Sequence, residues 1–189
     1  MRNTYFILFS ILAFCIGCQW HLGASDDSHQ AGAVTIERFD RIERLYLMTG
    51  DVAALQQMRT GYPIQTRTLI ENVLRLGHME EPDINTRFLL FFQDSTLQAI
   101  MNEVELQYET VDDLNAQLSK AFAKMAQLLP SMEIPQVYTQ IGSLDQSIVV
   151  GNGQLGISLD KYLGSDYPVY LKYGYTEEQR EMMNRSFII

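Results

Sequence analysis

Apolar residues recur at three- and four-residue spacing along most of this chain and alternate in only a few short stretches. The first alternation, residues 34–39 (VTIERF), predicts a short edge strand. Asp40 then stands as N-cap candidate for a helix to about residue 59, with Ile42, Leu45, Tyr46, Met48 and Leu55 loosely on one face. Gly50 is the weak point at which that helix would split. After the break Gly61-Tyr62-Pro63, the spacing predicts a helix over 65–76 that bears Leu69, Ile70, Val73 and Leu74 and closes at Gly77. Glu81-Pro82-Asp83 opens another over 84–92, which contains the apolar run Phe88-Leu89-Leu90-Phe91-Phe92. Asp94-Ser95 caps a helix over 96–108. Thr110-Val111-Asp112-Asp113 resembles a capping box with Asp at its fourth position. Leu114, Leu118, Ala121, Phe122, Met125, Leu128 and Leu129 follow it at helical spacing. Pro130 and Pro135 end that helix.

Residues 134–164 are the only stretch that reads plainly as sheet. Strands are expected over 136–141, 146–150 and 154–159, with Gly151-Asn152-Gly153 as a hairpin turn between the last two. The expected fold is α+β, a helical N-terminal portion packed on a small antiparallel β-meander at about residues 136–159. Residues 34–189 form a single domain in this reading. Beyond Gly164, Tyr167, Tyr170, Tyr173 and Tyr175 crowd around Pro168 and Gly174. Thr176-Glu177-Glu178-Gln179 is a second capping box, starting a helix toward Asn184. The chain ends on Phe187-Ile188-Ile189, each forgoing about 2 kcal/mol of burial if left in water. The expectation is therefore a domain incomplete at its C-terminus.

The N-terminus changes the picture from fold to address. Arg2 precedes a short apolar run over residues 5–16, too short for a comfortable membrane span and of signal-peptide length. Gly17-Cys18 follows, and a small residue directly before a Cys there resembles a bacterial lipobox. Residues 1–17 read as a lipoprotein signal peptide, Cys18 as the lipidation site, and residues 18–33 as a polar tether. Cys15, three residues ahead of Cys18, stands where Leu is usual. Processing would leave no thiol in the folded region, so a disulfide scaffold is not expected. The net charge is −9, which repels nucleic acid and anionic membrane surfaces. The partners expected are the membrane, through the N-terminal lipid, and envelope proteins, with no nucleic acid.

Candidate chemistry is sparse. The histidines are His21, His29 and His78, and they form no His-Glu-x-x-His pattern, so no metal ligands are assigned. Gly151 to Gly156 spells G-x-G-x-x-G, but strand-like residues follow where a dinucleotide site needs a helix, so the hairpin reading is preferred and no cofactor is expected. No Ser is accompanied by a His base, and no catalytic residue is assigned. Asp94-Ser95-Thr96 reads either as a plain helix cap or, at Ser95, as an O-glycosylation acceptor. The tyrosines between Tyr162 and Tyr175 read either as packing or as a stacking surface for sugars or a partner.

Several pieces carry a family resemblance. They are Ile36-Glu37-Arg38-Phe39-Asp40, Phe91-Phe92-Gln93-Asp94-Ser95-Thr96-Leu97, Pro135-Gln136-Val137-Tyr138-Thr139, and the segment from Gly156 through Leu159-Asp160-Lys161-Tyr162-Leu163-Gly164. Together they resemble the gliding-motility lipoprotein GldB family of Bacteroidetes, from about residue 34 to the last residue. Phe39, Asp40, Leu159, Asp160, Tyr162, Leu163 and Gly164 are then motif positions with structural roles. The resemblance implies an outer-membrane-associated lipoprotein of the cell envelope, tied in gliding members to motility and a secretion system. It further implies a fold distantly like zinc metallopeptidase domains, continuing past Ile189. The expected function is protein binding in an envelope assembly rather than catalysis. The alternatives are a metallopeptidase-like domain, active or degenerate, with its catalytic residues beyond this chain, and a surface glycan-binding module.

Overall fold

The computed structural model describes residues 34–189. The signal peptide, Cys18 and the tether lie outside the described residues. Helix α1 (Phe39–Thr49) ends where Gly50 takes φ 70° and returns its N–H to the Tyr46 carbonyl. Helix α2 (Val52–Gly61) restarts on Asp51, whose carboxylate accepts the Ala53 and Ala54 N–H groups. The long helix expected over 40–59 is thus divided at Gly50.

Asp40 is not its N-cap. The helix begins one residue earlier, with Arg38 at the cap position and no side-chain cap bond. Asp40 turns inward, is 3% exposed, and accepts both forks of Arg38 and the Thr139 hydroxyl. A guanidinium offers a carboxylate a stronger bond than a terminal amide does, so the cap is forgone.

Helix α3 (Pro63–Arg67) runs into a wider π-helical turn (Thr68–Val73) that puts Leu69, Ile70 and Val73 in the core. Helices α4 (Ile84–Phe91) and α5 (Ser95–Gln107) follow, the second capped by Asp94 through the Thr96 and Leu97 amides. Helix α6 (Asp112–Leu128) buries Leu114, Leu118 and Phe122, whereas Met125, Leu128 and Leu129 beyond them stay exposed. Its expected capping box does not form. Val111 is the cap residue, and the Asp113 carboxylate is taken by Arg185 instead.

Strands β1 (Gln136–Gln140), β2 (Ile148–Gly151) and β3 (Gln154–Ser158) form one sheet in the order β1-β3-β2. This corrects the antiparallel meander. The β2–β3 hairpin is antiparallel as expected, turning through Asn152 and Gly153 at φ 52° and 70°, but β3 pairs with β1 in parallel. Burial decides the order. Strand β3 is almost wholly buried and β2 largely exposed, so the hairpin docks through β3. Gly156 makes the close fit, because a Cβ there would stand 2.5 Å from Cζ of Tyr138. The edge strand expected over 34–39 reduces to one parallel bridge between Glu37 and Tyr138. Ahead of it, the Val34 and Ile36 amides donate to Ser119 and Asn115 of α6.

Helix α1 is the centre of the packing, touching α2, α4, α5 and β1. Phe39 lies 5.5 Å from Tyr62 and 6.1 Å from Tyr138 between ring centroids, and Tyr46 meets Phe88, which meets Phe92, in a second aromatic group. After β3 come a 3₁₀ turn (Leu159–Lys161) and helices α7 (Pro168–Lys172) and α8 (Glu177–Glu181). Both reciprocal bonds of the Thr176–Gln179 capping box are present.

Candidate interaction site

The segment Leu159-Asp160-Lys161-Tyr162-Leu163 is buried along its length, and its polar groups hold backbone rather than face solvent. The Asp160 carboxylate accepts the amides of Gly142 at 2.9 Å and Leu144 at 2.5 Å. Between them Ser143 and Leu144 adopt φ 55° and 63°, a left-handed conformation that costs most residues energy and needs such clamping. The Leu144 carbonyl then accepts from Lys161 Nζ at 3.2 Å and from the Tyr175 hydroxyl at 2.9 Å. Lys161 Nζ also donates to that hydroxyl at 2.9 Å and lies 4.5 Å from the centre of the Tyr175 ring.

Tyrosines tie the same segment from other sides. The Tyr170 hydroxyl donates to the Asp160 carbonyl at 2.6 Å and accepts the Leu163 amide at 2.9 Å. Tyr108 donates to the Tyr162 carbonyl at 2.6 Å. Burial pushes both hydroxyls far above the usual tyrosine range. Of the tyrosine cluster, Tyr170 is therefore an internal strut, and Tyr173 is exposed. Gly164, at φ 105°, closes the segment and donates its N–H to the Met183 carbonyl.

A buried carboxylate pair fastens the β1–β2 loop. Glu43 of α1 accepts the Ile141 amide at 3.0 Å, next to the two amides held by Asp160. Burial pushes both acids above their usual range against the pull of these amides, and Asp40 and Asp160 raise Glu43 further. Among the described residues no group of three His, Cys, Asp or Glu side chains is arranged to hold a metal ion.

Beside the segment lies an open groove of about 360 Å³. Lys161, Tyr162 and Tyr175 form its inner wall, and Met182, Met183 and Phe187 its outer wall. Met183 is buried, but Met182 is 56% and Phe187 55% exposed. Methionine and phenylalanine on a rim, over a lysine and two tyrosines, suit an apolar or aromatic side chain of another protein. The outer wall is fixed by Arg180, which donates to the Ser165 carbonyl, and by Arg185, which grips Asp113 together with the Gln107 and Thr110 carbonyls.

Of the residues singled out in the sequence, Lys161 and Tyr162 reach this groove, while Leu159, Asp160, Leu163 and Gly164 support it from within. Phe39 and Asp40 lie elsewhere, on α1. Ser95 is exposed at the first position of α5. Met182 and Met183 gave no signal in the sequence, since α8 is one short turn with no apolar periodicity. A family model described as gliding motility protein GldB matches residues 23–189. Neither the curated proteins nor the solved structures include a match to the chain.

Proposed function

The chain belongs to the family of the gliding motility protein GldB, and on that premise we propose that it is a lipid-anchored envelope protein that works by docking. Acyl chains on Cys18 hold it at the outer membrane, the polar residues after Cys18 set its reach, and the groove beside Lys161 and Tyr162 receives an apolar side chain of a partner protein. The observation that carries the reading is the join between family segment and surface. The most recognisable stretch of the sequence forms one wall of a groove whose other wall displays Met182 and Phe187 to solvent.

The test is made in cells with the full chain. A photo-crosslinking amino acid at Phe187 should give a discrete adduct with an envelope protein, and the same residue at the exposed Leu106 of α5 should not. Met182→Asp should abolish that adduct. Cys18→Ser should move the protein from the membrane to the soluble fraction. Equal adducts from both positions would remove the groove from the proposal. A Cys18→Ser protein that stays with the membrane would remove the anchor.

A further inference from the structure

A second cleft, which shares no lining residue with that groove, sets three arginines beside three acids, Asp40, Glu105 and Glu109. Arg38, Arg41 and Arg44 stand three residues apart, which sets them along one side of α1. They border a cleft of about 380 Å³ against α5, closed at the bottom by the buried side chains of Val104, Tyr108 and Ile141.

The three arginines are occupied to different degrees. Arg38 is spent, since its Nε and Nη2 both donate to Asp40, at 2.9 and 2.8 Å. Arg44 is half used. Its Nη2 reaches Asn102 at 2.9 Å and Glu105 at 2.5 Å, while its Nε is buried without a partner. Arg41 donates to the Glu109 carbonyl, and among the described residues no carboxylate lies within ion-pair distance of it. The Glu105 side chain is 58% exposed, so returning it to water costs little. A ligand that replaced it would take the place Glu105 holds on Arg44 Nη2.

We propose that this cleft binds an organic carboxylate carried on a short apolar stem. The carboxylate bridges Arg41 and Arg44, and the stem lies on Leu45, the exposed apolar side chain of the lining. A planar monoanion fits the arginine forks. A phosphate dianion would be repelled more strongly than a monoanion by Glu105 and Glu109 in the lining and would leave Leu45 uncovered. The same chemistry occurs in a free aliphatic acid and at the C-terminus of a peptide ending in an apolar residue.

The experiment is an amide-resolved NMR titration of the full-length chain with hexanoate, hexanamide, the peptide Gly-Gly-Leu, its C-terminal amide, and inorganic phosphate. At least one acid should shift the Val104 and Ile141 amides, and its amide counterpart should bind about tenfold or more weakly. Hexanoate alone identifies a free acid as the ligand, and Gly-Gly-Leu binding more tightly identifies a peptide end. Arg41→Gln should weaken the acid about tenfold, and Arg41→Lys less, because the charge remains. Arg41 is exposed, so an unchanged melting temperature shows that both variants fold. The proposal is overturned if acid and amide bind alike, if neither acid shifts the cleft, or if phosphate binds as well as the acids.

Discussion

Glu43 illustrates how a single buried acid can be read as a pH sensor of the fold. It is fully buried, with one oxygen on the Ile141 amide and the other without a partner. Its folded-state pKa lies well above the ordinary glutamate value of 4.5. Folding therefore takes up a proton between those two values, and stability falls as pH rises through that window. Glu43→Gln removes the titration. Its stability relative to the wild type should improve with rising pH across the window, by up to about 1.4 kcal/mol per pH unit. Exposed acids with lowered pKa values, such as Asp94 and Asp113, are present in both proteins and cancel in the difference. Thermal unfolding of the pair from about pH 5 to 8 checks this, and parallel profiles would sink it. The sequence pointed to Asp40 and Asp160 but not to Glu43. An acid one turn along a polar helix face looks solvated until β1 is packed against it.

Among the elements, most helices were legible where a local chemical signal ended or began them, although the helix expected to close at Gly77 starts at Pro63 and ends at Val73, with Arg75 at φ 55°. Gly50, Asp94 and the Thr176–Gln179 pair act through backbone groups within a few residues of themselves. Local signals failed where a distant side chain made a better offer, as Arg38 and Thr139 did for Asp40 and Arg185 for Asp113. Strand order was not legible, because the β2–β3 hairpin is compatible with either strand facing β1. Burial favours β3 there, and one missing side chain makes the close fit possible. Gly156→Ala would put a methyl group into the Tyr138 ring, so it should cost about 1–3 kcal/mol as overpacking. Chemical denaturation measures that loss. Gly151→Ala, where a Cβ meets nothing within 4 Å, is the control and should cost far less. Equal effects would show that the Tyr138 contact does not hold the sheet together. Half the groove was legible for the same reason. Lys161 and Tyr162 of its inner wall belong to one contiguous segment, and its outer wall is brought there by bonds from α8 onward to α5, α6 and Ser165.

At the level of the molecule, Arg185 joins the last residues to the helical half. It donates to Asp113, to the carbonyls of Gln107 and Thr110, and stacks 4.7 Å from the centre of the Tyr108 ring. Tyr108 in turn holds the Tyr162 carbonyl. Arg185→Ala should therefore cost about 1–3 kcal/mol and loosen the outer wall more than the sheet. Hydrogen exchange should accelerate over residues 176–188 and stay near wild type in β1 and β3. Uniform acceleration would mean that the wall and the sheet open as one unit. The expected crosslink from Phe187 should weaken with it, since the rim would lose its fixed position.

The entry of the chain into the fold has a mechanical consequence. Val34 and Ile36 are moored to Ser119 and Asn115 of α6, and Glu37 is held to β1 by its own N–H on Val137 and by the Thr139 N–H on its carbonyl. Tension applied ahead of Val34 meets the α6 moorings before it meets the sheet. These attachments lie in succession along the chain, so they give way in turn rather than sharing the load. Their loss frees the Val137 carbonyl and the Thr139 N–H, the two groups of the edge strand β1 that Glu37 covers. A pull from the N-terminal side would thus first lengthen the open edge of β1 by these two groups, before the sheet itself is loaded.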